Sequence, residues 1–165
     1  MALRNRPILP MKFSPEQNIA FDKVALLCSK SEKSTSEILE KLKLLGLSAE
    51  ESKPVIEQLI LDKYIDDERF ARAYVKDKFR FNHWGKQKIA HMLRAKNISP
   101  EILELAFEEI EDDGYSDELR KLLTDKEKSI KAKDKYDKRN KLMRFALGRG
   151  FESNMVYAIF KELGI

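Results

Sequence analysis

The chain has 165 residues, of which 36% are charged and 42% apolar; average globular domains carry about 25% and about 45–50%, so one large dry core is excluded. Six glycines and five prolines are few, which makes turn chemistry scarce and favours long helices over a strand-rich fold. The single cysteine, Cys28, excludes an intramolecular disulfide or a cysteine-built zinc site, and the longest apolar run, Val24–Cys28, is far too short to span a membrane, so a cytoplasmic protein is expected.

Residues 1–15 read as an N-terminal arm. They contain Pro7, Pro10 and Pro15, and the short apolar stretch after Arg4 and Arg6 is no signal-peptide core. A helix is predicted over Glu16–Ser29, with Ile19, Val24 and Leu27 on its apolar stripe. From there a pattern recurs with a period near fifty. Ile38, Leu42, Gly46, Leu47, Ser48, Val55, Ile56 and Leu59 are echoed by Ile89, Leu93, Asn97, Ile98, Ser99, Ala106, Phe107 and Ile110. A third copy follows in Leu142, Ala146, Gly150, Phe151, Glu152, Ile159, Phe160 and Leu163.

The physical content of the echo is a helix end. Gly and Asn accept the left-handed conformation that closes a helix, and the next apolar residue packs back on its last turn. Ser48 and Ser99 then open the following helix as N-caps, with Glu51 completing a capping box and Pro100 at the first helical position; Glu152 is a poorer cap. Leading helices are predicted over Asp67–Phe81 and from Ser116 to about Lys133. No Gly or Pro interrupts Tyr115–Leu147, so one long helix competes there with a turn near Asp134–Asp137, which the repeat requires.

The predicted fold is all-α, an elongated, curved array of three tandem three-helix repeats over 16–66, 67–114 and 115–165. A lone module of about fifty residues is marginal, so neighbours must stack.

The net charge of +4 hides blocks. Residues 67–100 carry nine Lys/Arg against three Asp/Glu, residues 101–118 none against nine, and residues 119–149 twelve against four. Two basic blocks divided by an acidic one suggest an anionic partner met by two faces. Catalytic patterns are missing: there is no phosphate loop, nucleophile elbow or His-Glu-x-x-His helix. No enzyme activity, cofactor, metal or small-molecule substrate is therefore expected. Lys76, Lys78, Arg80, Trp84, Lys86 and Lys88 form one candidate contact surface, and Lys133, Lys135, Lys138, Arg139, Lys141 and Arg144 a second. Phe79, Phe81 and Trp84 read as core, with Gly85 allowing a tight interhelix turn.

The run Tyr64-Ile65-Asp66-Asp67-Glu68-Arg69-Phe70-Ala71 resembles the signature of the RecX family, bacterial regulators of the recombinase RecA. Its continuation agrees: Trp84-Gly85 followed by Ile89, then Leu93-Arg94-Ala95-Lys96-Asn97-Ile98, with Asn97 where the family usually has Gly. The similarity covers about residues 60–110.

The resemblance implies a non-enzymatic inhibitor, acting in recombination, DNA repair and the SOS response. Such a protein binds the groove of the RecA–DNA filament and modulates ATP hydrolysis, strand exchange and filament growth. The implied partners are the RecA filament and, mainly through it, single- or double-stranded DNA, with this chain a monomer and no membrane involved. A free-standing DNA-binding protein of tandem three-helix modules is the competing reading, and it predicts tight, steeply salt-dependent binding to DNA alone. Within the signature, Tyr64, Ile65, Phe70 and Ala71 are expected to join the first module to the second by packing, with Gly85 and Ile89 also structural. Asp66 or Asp67 is expected to cap the helix that starts there.

Overall fold

A computed structural model describes residues 12–165. The predicted arm therefore lies mostly outside the described residues; within them Phe13 packs on Phe21, ring centres 5.8 Å apart. Among the described residues there are nine helices and no strand. The first three are α1 (Pro15–Lys30), α2 (Thr35–Leu44) and α3 (Ala49–Leu61). The next three are α4 (Asp67–Asn82), α5 (Lys86–Arg94) and α6 (Pro100–Phe107), and the last three α7 (Asp112–Ser129), α8 (Lys135–Arg149) and α9 (Ser153–Leu163).

The recurring helix end is observed three times over. Gly46 (φ +92°), Asn97 (φ +58°) and Gly150 (φ +93°) are all left-handed. In each case the next residue donates back into the helix: Leu47 to the Leu42 carbonyl, Ile98 to that of Leu93 and Phe151 to that of Ala146, each at 3.1 Å. These bonds satisfy carbonyls that a helix end otherwise leaves open. Helix starts are equally explicit. Ser14, Ser34 and Ser48 make full capping boxes with Gln17, Glu37 and Glu51, and Ser99 accepts from the Ile102 N–H.

The long-helix alternative is excluded: α7 stops at Ser129, and Asp134 caps α8 by accepting from the Asp137 N–H at 2.8 Å. The Asp side chain competes with the helix for its own backbone, which explains the break without Gly or Pro. The leading helix thus ends short of the predicted Lys133, and α7 begins at Asp112, ahead of the expected boundary at Tyr115.

Two cores result. Phe21, Val24, Ile38, Leu42, Val55, Leu59 and Ile65 form one, entirely within the first repeat. A second, continuous core runs through the other two repeats, from Phe70, Val75, Ile89 and Leu93 through Tyr115, Leu119 and Leu123 to Leu142, Phe151 and Phe160. This corrects the role expected of the signature. Tyr64 and Ile65 belong to the first core, while Phe70 and Ala71 belong to the second; the residues between them are polar, so no apolar seam crosses the junction.

Candidate nucleic-acid and partner interface

Polar groups make the first junction. Asp66 caps α4 by accepting from the Arg69 N–H at 2.9 Å. Asp67 reaches across the junction instead, accepting from the Thr35 N–H in the first turn of α2 at 2.8 Å. Arg69 pairs with Glu32 at 2.6 Å and Lys96 with Glu37 at 2.7 Å. The two acidic residues thus cap two different helices, one in each repeat.

The second junction is built on close backbone approach. The Gly85 N–H donates to the Arg149 carbonyl at 2.7 Å and the Gln87 N–H to that of Gly150 at 3.0 Å. A Cβ on Gly85 would lie 2.3 Å from the Gly150 carbonyl. Gly85 has φ −77°, so its role is contact between repeats rather than the turn geometry expected. Tyr115 locks the same spot. Its hydroxyl accepts from the Lys86 N–H at 2.8 Å and donates to Glu152 at 2.7 Å, and its ring stacks on Phe151 at 5.1 Å. Burial, then the carboxylate of Glu152, push the Tyr115 hydroxyl far above its ordinary pKa, so it keeps its proton and stays a hydrogen-bond donor to Glu152. Glu152 makes no side-chain cap on α9, because its carboxylate is committed here.

This junction organises the first candidate surface. Lys78 and Lys88 hold their ammonium groups 5.3 and 4.5 Å from the centre of the half-buried Trp84 ring. Lys78 also lies 5.3 Å from the Tyr74 ring. Arg149 donates to the Asn82 carbonyl at 2.9 Å and, with Lys126, covers Phe145 at 5.5 and 5.3 Å. Among the described residues Lys78, Lys88, Lys126 and Arg149 pair with no carboxylate. Phe145 and Arg149 lie outside both predicted surfaces, since only folding brings the end of α8 to the turn that carries Trp84; Lys126 opens the second basic block in the sequence and in the fold covers Phe145. Phe81, predicted as core, is 75% exposed: it lies on the outer face of the last turn of α4.

The remaining predicted cations divide by partner. Lys76 faces Glu109 at 4.0 Å and Lys86 faces Asp112 at 3.6 Å; Lys138 pairs with Glu127, and Lys141 with Asp137 at 2.8 Å. Arg139 covers the rings of Tyr157 and Phe160 at 5.7 and 5.5 Å. Arg80, Lys133, Lys135 and Arg144 are exposed. Lys135, at the start of α8, and Arg149, at its end, are about 21 Å apart at the helical rise, so the second predicted surface and the Arg149 end of α8 are separate places.

Part of the acidic segment is engaged inside the molecule: Glu108, Glu109 and Glu118 have cationic or histidine partners on or at the end of α4, while Glu101, Glu104, Glu111 and Asp113 are exposed. Arg72 binds Glu68, Glu108 and Glu109 at 2.9, 3.0 and 3.2 Å, and His83 meets Glu118 at 2.5 Å. These carboxylates tie α6 and α7 to α4 instead of cancelling the Trp84 surface. Among the described residues no His, Cys, Asp and Glu group suits a metal ion, and no helix is long and apolar enough to cross a membrane.

Fold and surface define a class: helical-repeat proteins whose chemistry is cationic charge laid on aromatic rings at a repeat junction. Two family models match, RecX second three-helix domain over residues 66–106 and RecX third three-helix domain over residues 113–160. The chain belongs to the RecX family. Regulatory protein RecX of Clostridium perfringens (strain 13 / Type A) is 32% identical over 136 residues, covering 81% of this chain and 63% of that protein. Its counterpart from Legionella pneumophila (strain Corby) is 29% identical over 146 residues, covering 87% and 94%. The chain thus spans less than two thirds of the first relative and nearly all of the second. Crystal structures of a regulatory protein RecX and of RecX from Lactobacillus salivarius superpose with TM-scores of 0.81 and 0.79 at 22% and 21% identity. They cover 89% and 90% of this chain, and 73% and 97% of theirs, which establishes the shared fold.

Proposed function

We propose that this chain is a regulator of a RecA-type recombinase that seats in the groove of the RecA–DNA filament and lowers its ATPase, strand exchange and growth without chemistry of its own. The observation that carries the reading is the set of cations at the second junction. Lys78, Lys88, Lys126 and Arg149 lie over aromatic rings and pair with no carboxylate among the described residues, Lys88 and Arg149 also donating to the Gly148 and Asn82 carbonyls, while Glu108, Glu109 and Glu118 are engaged by Arg72 and His83. Such charges are ready to meet phosphate, and contact with phosphate positions a protein without reading sequence. A repeat array also presents successive faces to a filament of fixed pitch, and a body bound across protomers opposes the rearrangements of nucleotide turnover.

The test is the DNA-dependent ATPase of the cognate recombinase. Substoichiometric protein is expected to lower it, and the double variant Lys78→Glu, Lys88→Glu to lose most of that effect. An unchanged rate at saturating protein would sink the proposal. A pull-down on filament beside bare single-stranded DNA separates this reading from a free-standing DNA-binding protein, which would favour both targets equally.

A further inference from the structure

Phe81 is the outlier of the second junction. It is 75% exposed, on the same face of α4 as Lys78, three positions earlier, and Tyr74, seven positions earlier. The next residue, Asn82, gives its carbonyl to Arg149. Phe81 thus shares its helix face with Lys78 and is next in sequence to the residue whose backbone Arg149 holds, with Lys88 joined to Lys78 through the Trp84 ring. Nothing in the core requires an aromatic ring there. An exposed ring in the neighbourhood of cations that meet no carboxylate is the arrangement that holds single strands, where bases stack on aromatics and the backbone follows the charge. A carboxylate-bearing partner would need the cations but not the ring.

Resting on the regulator reading above, we propose that Phe81 is a stacking platform for an unpaired nucleobase of single-stranded nucleic acid, whose flanking phosphates lie on Lys78, Lys88 and Arg149. The lysines are pre-placed by Trp84 and leave its ring when phosphate arrives. Arg149 keeps donors free for phosphate after its bond to Asn82, since a guanidinium has five. Duplex DNA, with its bases stacked internally, offers the platform nothing.

Trp84 is the sole tryptophan and reports the event directly. The full chain is titrated with oligo(dT), with an abasic oligonucleotide of equal length and with polyglutamate, following Trp84 emission and the anisotropy of labelled strand. Wild type is expected to bind oligo(dT) about tenfold tighter than the abasic strand, within the range of base–aromatic stacking. Phe81→Ala should remove that preference and Phe81→Tyr should restore it; at an exposed position neither disturbs the fold. Lys88→Glu should weaken both strands and abolish the emission change. Equal binding of the two strands, an unaffected Phe81→Ala protein, or polyglutamate binding as tightly as oligo(dT) would overturn the proposal. Recombinase ATPase measured in parallel keeps the two ideas apart. Inhibition without base preference removes the stacking platform and leaves the regulator, whereas base preference without inhibition removes the regulator and leaves the platform.

Discussion

The two junctions between repeats solve the same problem in opposite ways. Between the first and second repeats each side keeps its own core, and the contact is Asp67 on the Thr35 N–H, Glu32 on Arg69 and Glu37 on Lys96. Between the second and third the core is continuous, two glycines bring backbone against backbone, and Tyr115 is buried across the seam. Short polar links between partly exposed groups are screened by salt and contribute little net energy. A shared apolar core is neither screened nor divisible. The first repeat is therefore an attached unit, whereas the other two unfold together, and the aromatic-backed cations lie on the rigid pair.

The largest expected effect breaks the rigid junction. Gly85→Ala would put a methyl 2.3 Å from the Gly150 carbonyl carbon and oxygen and 2.4 Å from the Phe151 nitrogen. These are backbone atoms that cannot step aside, so the repeats must part. Overpacking of this kind is expected to destabilise the paired repeats by about 3 kcal/mol, read as a lowered unfolding midpoint of Leu119- and Leu142-core signals. A change within ~0.5 kcal/mol, the usual range for an innocuous surface substitution, would show that the approach is not as close as described.

Next comes Tyr115→Phe, which keeps the ring but strands the Glu152 carboxylate and the Lys86 N–H. Leaving a fully buried partner unmade costs about 1–3 kcal/mol, and because Glu152 and Lys86 are half-buried the lower end of that range is expected. A lower urea midpoint at unchanged slope is the expected result, with a loss of Trp84 order because Lys86 and Lys88 begin the same helix. Unaltered stability would mean that water replaces the hydroxyl.

How much of this was visible in the sequence follows from the range of each interaction. The helix ends at Gly46, Asn97 and Gly150, and the Ser48 and Ser99 caps, are local, so the spacing of residue types sufficed. The turn before α8 was legible only through the repeat, because Asp134 is an ordinary acidic residue until its side chain is seen to bond the Asp137 N–H. Gly85 was recognised as special but for the wrong reason: its partner, Gly150, lies in another repeat. Glu152 looked like a poor cap because its partner, Tyr115, stands 37 residues away. The same distance problem hid the use of Glu108 and Glu109 by Arg72. The cation blocks were visible, but which cations are already neutralised is a tertiary fact, and so is the exposure of Phe81.

The smallest effect belongs to the polar junction, and there its sensitivity matters more than its size. Burial works to raise the pKa of Glu37, but hydrogen bonds from Lys96 and from the Ser34 N–H outweigh it and hold the carboxyl below its ordinary value of 4.5. A depressed carboxylate pKa stabilises the fold fully above the unfolded value and ceases to do so as pH falls through the folded one. Glu37→Gln is therefore expected to cost under ~1 kcal/mol near neutrality, and nothing once acid has already protonated the wild-type group. Molar salt, with a screening length near 3 Å, should imitate the substitution at neutral pH. The measurement is hydrogen exchange of the linker amides from Lys63 to Asp67. Their protection factors, corrected for the intrinsic exchange rate at each pH, should fall in Glu37→Gln, in high salt and below pH 4, while the Gly85 and Gln87 amides of the other junction stay protected. If both sets of amides lose protection together, the first repeat is not a separately attached unit, and the contrast between the junctions fails.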